Sequence, residues 1–256
     1  MFKFIIVTIP FEDWKNIFLS NSKIKCIDEK DFDLDTGKYQ TNEFKIMPIC
    51  IYDYIKYNNH ENNIFKNNLD NLHILNNKSK FGKYMLTYFI DNIPIIYYYN
   101  FGNETYISNI KISQKMILKP NEACGGSGIK IVNKINIHRK NCIISKYINH
   151  NEYYVGHFLV LNGIIHDKVY FYSNHVYKDG IKKGRILNYK IIKELDIDDS
   201  IFSNIFCNLN YSGFADSDFI INNGKIVIFE INPRPGGSLI HNEIYFNQFI
   251  DKLYDI

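Results

Sequence analysis

The chain has 256 residues, 46% of them hydrophobic, with a formal net charge of +3. That is apolar material for a sizeable core in one large domain or two or three small ones. Charge this close to balance, and spread along the chain, excludes a basic nucleic-acid face or a surface for anionic membranes, and no apolar run approaches a membrane span. Cys26, Cys50, Cys124, Cys142 and Cys207 form no C-x-x-C pair. An odd, unpatterned set fits a reducing, cytoplasmic setting better than a disulfide framework or a zinc site. The opening MFKFIIVTIPF is too short in apolar residues for a signal peptide and reads as a first buried strand.

In chain order, Phe2 to Ile9 is that strand. From residue 11 to 75 short apolar runs mix with Asn- and Asp-rich loops, and Asn58 to Asn77 reads as surface loop plus helix. Phe81 to Ile90 is amphipathic and helical, and Asn92-Ile93-Pro94 stops it. Strands are expected at Ile95 to Tyr99, Met116 to Lys119, Ile129 to Val132, Cys142 to Ile148, Tyr153 to Leu161 and Ile164 to Tyr172. Ile201, Ile205 and Leu209 recur at four-residue steps, which predicts a helix over Asp198 to Asn210. Phe219 to Ile221 and Lys225 to Ile231 read as a hairpin, and His241 to Leu253 as a closing helix. There is no internal repeat.

Three segments carry chemistry. In LKPNEACGGSGIKIV (Leu118 to Val132) a strand ends in Lys119, a glycine loop follows, and a second strand leaves. It is neither a Walker A loop nor a Rossmann fingerprint, because no helix opens after it. Glycines let backbone N–H groups approach phosphate oxygens, and a lysine adds charge; a ligand-free hairpin tip explains the loop equally well. In CIISKYINHNEYYVGHF (Cys142 to Phe158) an extended segment around Lys146 to Ile148 could face an adenine edge, with Glu152 toward ribose. An ordinary hairpin with an exposed glutamate is the plainer account.

The third segment is GFADSDFIINNGKIVIFEINPR. Glu230, Asn232 and Arg234 stand at alternate positions where an apolar strand ends, so they share one face. A two-residue Asn223-Gly224 turn would set Asp218 and Glu230 on opposite faces. A three-residue loop, Asn222-Asn223-Gly224, puts Asp218 opposite Ile228 and one diagonal step from Glu230, and this is the expected form. Two carboxylates and an amide oxygen are hard donors suited to Mg²⁺.

Taken in order, the lysine with its glycine loop, the extended hinge and Asp…Glu-x-Asn-x-Arg resemble the ATP-grasp superfamily. EINPRPGGS is the most specific part and is similar to the carbamoyl-phosphate-synthetase-like branch. The resemblance covers about Asn77 to the C-terminus. It implies an α+β ATP-grasp fold, with two subdomains gripping ATP over residues 77–256, a lid at about 115–150, and a short α/β pre-grasp domain over residues 1–76.

The resemblance also implies roles. Lys119 contacts nucleotide phosphate, and Gly125, Gly126, Ser127 and Gly128 form the lid over it. Ser145, Lys146, Tyr147 and Ile148 form the adenine hinge, and Glu152 binds ribose. Asp218, Glu230 and Asn232 hold one or two Mg²⁺, and Arg234 stabilises the reacting carboxylate or its acyl phosphate. A lysine near the start of the helix points to Lys83, or else Lys80. Lys168, Lys182 and Arg185 compete for the γ-phosphate. His241 is a surface residue or lines the substrate pocket.

The implied activity is an ADP-forming ligase. It phosphorylates a small-molecule or peptide carboxylate with Mg-ATP and joins it to an amine or other nucleophile. A phosphotransferase on the same fold and a nucleotide-binding module without turnover are the alternatives. The sequence leaves the oligomeric state open, a homodimer included.

Overall fold

The computed structural model describes residues 3–8, 12–27, 42–108, 115–122, 127–135, 140–173 and 189–255. Strand β1 (Phe4–Thr8) lies between β2 (Ile24–Ile27) and β3 (Phe44–Ile46), both parallel to it. Helix α1 (Glu12–Ser20) makes the crossover from β1 to β2 that a parallel pair requires. Ile5, Ile6 and Val7 are all fully buried, so β1 is covered on both faces and reads as a continuous apolar run.

Three helices follow: α2 (Ile51–Tyr57), α3 (Leu69–Asn76) and α4 (Lys78–Tyr88). Asn68 caps α3 by accepting from the N–H groups of Asp70 and Asn71, and Asn77 caps α4 by accepting from those of Ser79 and Lys80. Asparagines that look like loop composition are therefore helix starts. The cap at Asn77 begins α4 three residues before the expected Phe81.

Two five-stranded antiparallel sheets form the rest. The first comprises β4 (Ile96–Phe101), β5 (Glu104–Ile107), β6 (Met116–Pro120), β7 (Lys130–Val132) and β8 (Cys142–Lys146), in the order β5-β4-β8-β6-β7. Helix α4 lies against it. A Cβ at Gly82 would come within 2.7 Å of Ile143 Cδ1 and 2.9 Å of Ile96 Cδ1, so glycine sets how closely helix and sheet approach.

The second sheet comprises β9 (Tyr153–Leu161), β10 (Ile164–Ser173), β11 (Lys190–Ile192), β12 (Gly213–Asn222) and β13 (Lys225–Asn232), in the order β11-β10-β9-β12-β13. Helices α5 (Ser200–Asn208), α6 (Gly237–Ile240) and α7 (Glu243–Asp255) accompany it. Phe158 and Phe202 meet at 4.7 Å between ring centroids within a fully buried aromatic core. That core continues into the N-terminal segment, where Phe65 packs edge-on against Phe214 at 5.7 Å and Phe18 against Phe246 at 5.2 Å.

The expected strands and helices from Ile95 onward fall on these elements with small shifts in their ends. The exception is β12, which begins at Gly213, six residues before the expected Phe219. Burial between β9 and β13 keeps Asp216, Ser217 and Asp218 in strand form despite their polarity. Among the described residues no helix is long and apolar enough to cross a membrane.

Candidate active site

The β12–β13 hairpin turns on two residues. Asn222 pairs with Lys225, and Asn223 and Gly224 have φ of 50° and 73°. Two left-handed residues give the mirror-image turn whose twist matches the strands. The expected three-residue loop does not form, and with a regular ladder the two acids would then point apart. A bulge corrects the register. Phe219 pairs with Ile228, but the next partners are Asp218 with Glu230 and Asp216 with Asn232, which leaves Phe229 as the extra residue. Asp216, Asp218, Glu230 and Asn232 thus form two directly opposed pairs on one face.

Contacts within this square are specific. Asn232 Nδ2 donates to Glu230 Oε1 at 3.4 Å and to Asp216 Oδ2 at 3.5 Å. Arg234 Nη1 lies 3.3 Å from Asp216 Oδ1 and donates to the Pro235 carbonyl at 3.1 Å. Lys78 Nζ lies 3.5 Å from Glu230 Oε2. Among the described residues no three His, Cys, Asp or Glu side chains gather as a metal-binding group. The expected donors are instead Asp218, Glu230 and the Asn232 amide, an oxygen-only set whose chemistry fits Mg²⁺.

A cleft opens beside the square, between the two five-stranded sheets. Its lining includes Lys78, Lys119, Ser145, Ile93 and Phe229. Lys119 on β6 is buried, and its Nζ sits 5.2 Å from the centroid of the Phe229 ring. Lys78 is brought there by the start of α4. Its N–H donates to the Asn121 carbonyl at 3.2 Å, and Ser79 Oγ hydrogen-bonds both Asn121 Oδ1 and the Cys142 carbonyl. The helix start is thereby fastened to the end of β6, next to Lys119.

Residues 147–152 join β8 of one sheet to β9 of the other. The Lys146 N–H donates to the Ile95 carbonyl at 2.7 Å and the Tyr147 N–H to the Lys115 carbonyl at 3.2 Å, which holds this connection extended. The His150 ring lies tilted against Tyr153 and Phe229, with ring centroids 5.6 and 5.5 Å away, and so packs beside the aromatic ring that lines the cleft from the second sheet. Ser145 lines the cleft from the end of β8, and Ile148 packs on the core.

Other expected residues lie elsewhere. Lys83 points out from α4 and pairs with Glu104 at 2.5 Å, a contact that pushes its pKa up by holding the ammonium charged. Lys80 is half-buried in the first turn of α4. Glu152 is exposed and accepts from the Tyr172 hydroxyl at 3.1 Å. Lys168 is tied to Asp199 at 2.5 Å, which the Tyr170 hydroxyl also contacts. His241 is exposed at the end of α6. Ser127 and Gly128 form a turn, with Gly128 at φ 72°, where a Cβ would meet Pro120 Cγ at 2.7 Å. Gly125, Gly126, Lys182 and Arg185 lie outside the described residues.

Sequence reasoning missed Lys78, Asp216 and Phe229. For Lys78 the available signal was its place just after the capping Asn77. For Asp216 it was the D-S-D spacing, which puts it on the face of Asp218. Phe229 reads as one more core residue, and nothing in the sequence marks it as the bulge.

The fold has known counterparts. N5-carboxyaminoimidazole ribonucleotide synthetase from Thermotoga maritima is similar with a TM-score of 0.61 at 14% identity, over 100% of this chain and 76% of that one. N5-carboxyaminoimidazole synthetase from Staphylococcus aureus, complexed with ADP, gives 0.60 at 14% identity, over 93% and 72%. D-alanine–D-alanine ligase from Bacillus anthracis gives 0.59 at 12% identity, over 100% and 97%. Among curated protein sequences none matches significantly. The family model of the ATP-grasp domain matches residues 83–238. With that match over the helix, both sheets and the acid–amide hairpin, the chain belongs to the ATP-grasp family.

Proposed function

We propose that the protein is an ADP-forming ligase. In this reading it phosphorylates a carboxylate with ATP and joins the activated acyl group to an amine or other nucleophile. The observation that carries it is the opposition of Asp218 to Glu230 and of Asp216 to Asn232, beside a cleft that holds two lysines. We read residues 77–256 as the ATP-grasp unit and residues 1–76 as a pre-grasp domain that shares its core.

A carboxylate resists attack by amines because its leaving group would be oxide. In the first step its oxygen attacks the γ-phosphorus, the bond to the β-phosphate oxygen breaks, and ADP leaves. In the second, the nucleophile attacks the acyl carbon and inorganic phosphate departs. Catalysis of phosphoryl transfer rests on positioning and charge neutralisation.

Lys119 and Lys78 supply positive charge to phosphate oxygens at the mouth of the cleft. Phe229 and the segment Ser145 to Ile148 hold the base, and Glu152 accepts from ribose. Asp218, Glu230 and Asn232 would hold one or two Mg²⁺, which when bound offset phosphate charge. Arg234 presents its planar guanidinium to the acid substrate or to the transferring oxygens. In this reading the glycine loop is assigned the role of a lid that keeps water from the activated acyl group.

The test is incubation with ATP, Mg²⁺ and a metabolite extract, followed by untargeted mass spectrometry. The expected product has the mass of two metabolites less one water, with ADP and phosphate released and a hydroxamate formed when hydroxylamine is added. A phosphorylated metabolite as the stable product would make the protein a phosphotransferase. AMP and pyrophosphate would overturn the mechanism. No turnover, with nucleotide still bound, would leave a binding module.

A further inference from the structure

Asp216 is given no ligand-binding or catalytic role in the reading above, yet it touches two residues that are given one. One carboxylate oxygen lies 3.3 Å from Arg234 Nη1, and the other accepts from Asn232 Nδ2 at 3.5 Å. The residue is 6% exposed, and a carboxylate so buried requires a cation or donors around it. The loop that carries Arg234 is pressed onto the same spot. A Cβ at Gly236 would lie 3.0 Å from Asp216 Cβ and 2.6 Å from His157 Cε1. His157 is fully buried on β9, directly across from Asp216, and its Nε2 meets Ser238 Oγ at 2.9 Å. The loop is thus fastened to the sheet on either side of Gly236, with Asp216 at one anchor and His157 at the other.

The amide is fixed as well. Asn232 Nδ2 faces an oxygen of Asp216 and an oxygen of Glu230. An amide placed between two carboxylates must turn its NH₂ toward them, because the reverse would set its oxygen against two acceptors. Its oxygen therefore points away from those acids.

We infer that Asp216 is a positioning residue. It holds the Arg234 guanidinium in place and orients Asn232 as an oxygen donor. The inference rests on the roles proposed above for Arg234 and Asn232, and the test separates the two. Arg234→Gln should lower the melting midpoint, because it leaves a buried acid without its cation. Adding Asp216→Asn in that background should restore at least about half of the loss. Additive losses overturn the pairing.

The second arm uses Mn²⁺ with ADP, followed by electron paramagnetic resonance. Asp216→Leu should weaken Mn²⁺ retention about tenfold, with metal-free ADP affinity unchanged. Asp216→Asn, whose amide oxygen still accepts from Asn232, should stay within about twofold of wild type. Equal losses in both variants, or none in either, overturn the orienting role. Wild-type protein that retains no Mn²⁺ with ADP would instead remove the metal role of Asp218, Glu230 and Asn232, and the melting arm would then decide for or against Asp216.

Discussion

Asp218 faces Glu230 across the β12–β13 ladder because Phe229 is the extra residue between Ile228 and Glu230. The same bulge leaves the Phe229 ring in the cleft, 5.2 Å from Lys119 Nζ. Phe229→Ala keeps the residue count and hence the register, but removes the ring. Nucleotide affinity should fall about tenfold, the scale of one lost aromatic contact plus its cation–π component. The rate from saturated enzyme should change far less. A binding titration checks the first expectation and steady-state kinetics the second.

Lys78 and Lys119 line the cleft, whereas Lys83 is occupied by Glu104. A ligand that binds only the folded state stabilises it by about 2.7 kcal/mol at a hundredfold excess over Kd. Mg-ATP should therefore raise the melting midpoint, and GTP should raise it less. Lys78→Ala and Lys119→Ala should each shrink the ATP shift, while Lys83→Ala should leave it intact. Differential scanning fluorimetry of the three variants decides which lysine of α4 serves the nucleotide.

Glu230→Gln keeps the shape and removes one charge from the acid–amide square. ADP formation in the presence of the acid substrate should drop by about 100-fold or more, with a much smaller change in ATP affinity. Arg234→Lys keeps the charge but loses the planar fork. Its deficit should appear in the carboxylate-dependent step and not in nucleotide binding. Separate KM values for ATP and for the acid distinguish the two variants.

Gly213 joins the N-terminal helices to the second sheet. Its φ is 150°, and an added Cβ would lie 2.1 Å from the Tyr54 hydroxyl and 2.6 Å from that of Tyr211. The Tyr54 and Tyr211 hydroxyls meet at 3.4 Å, and Tyr211 also donates to the Phe214 carbonyl. Gly213→Ala should destabilise the fold by about 3 kcal/mol through overpacking and backbone strain. Urea denaturation measures it.

Burial pushes the Cys26 and Cys50 thiols up from 9.0 to about 11. A folded pKa above the unfolded one means the folded state holds its proton longer. The stability involved is complete below pH 9 and is lost as pH rises from about 9 to about 11. Replacing both cysteines by alanine should flatten that part of the stability–pH curve. At pH 8 the exposed Cys207 should react with a thiol reagent well before Cys26 or Cys50.

Local chemistry was legible in the sequence. The alternation of Glu230 and Asn232 put them on one face of β13, and strand periodicity alone determines that. Arg234, expected on the same face, lies two residues past the end of the strand, where its N–H turns back to the Asn232 carbonyl. The Asn223-Gly224 pair announced a hairpin, and the lysine and proline before a glycine loop announced a strand end. Three things waited for the tertiary structure. Turn length and bulge together set which acid faces which, and a one-residue shift exchanges the faces of an entire strand. Lys78 rather than Lys83 reaches the cleft because Asn121 and Ser79 fix where α4 begins relative to β6. Asp216 gained partners only when β9, β13 and the loop through Gly236 closed around it. Periodicity describes neighbours along a chain, whereas each of these depended on packing between segments far apart in it.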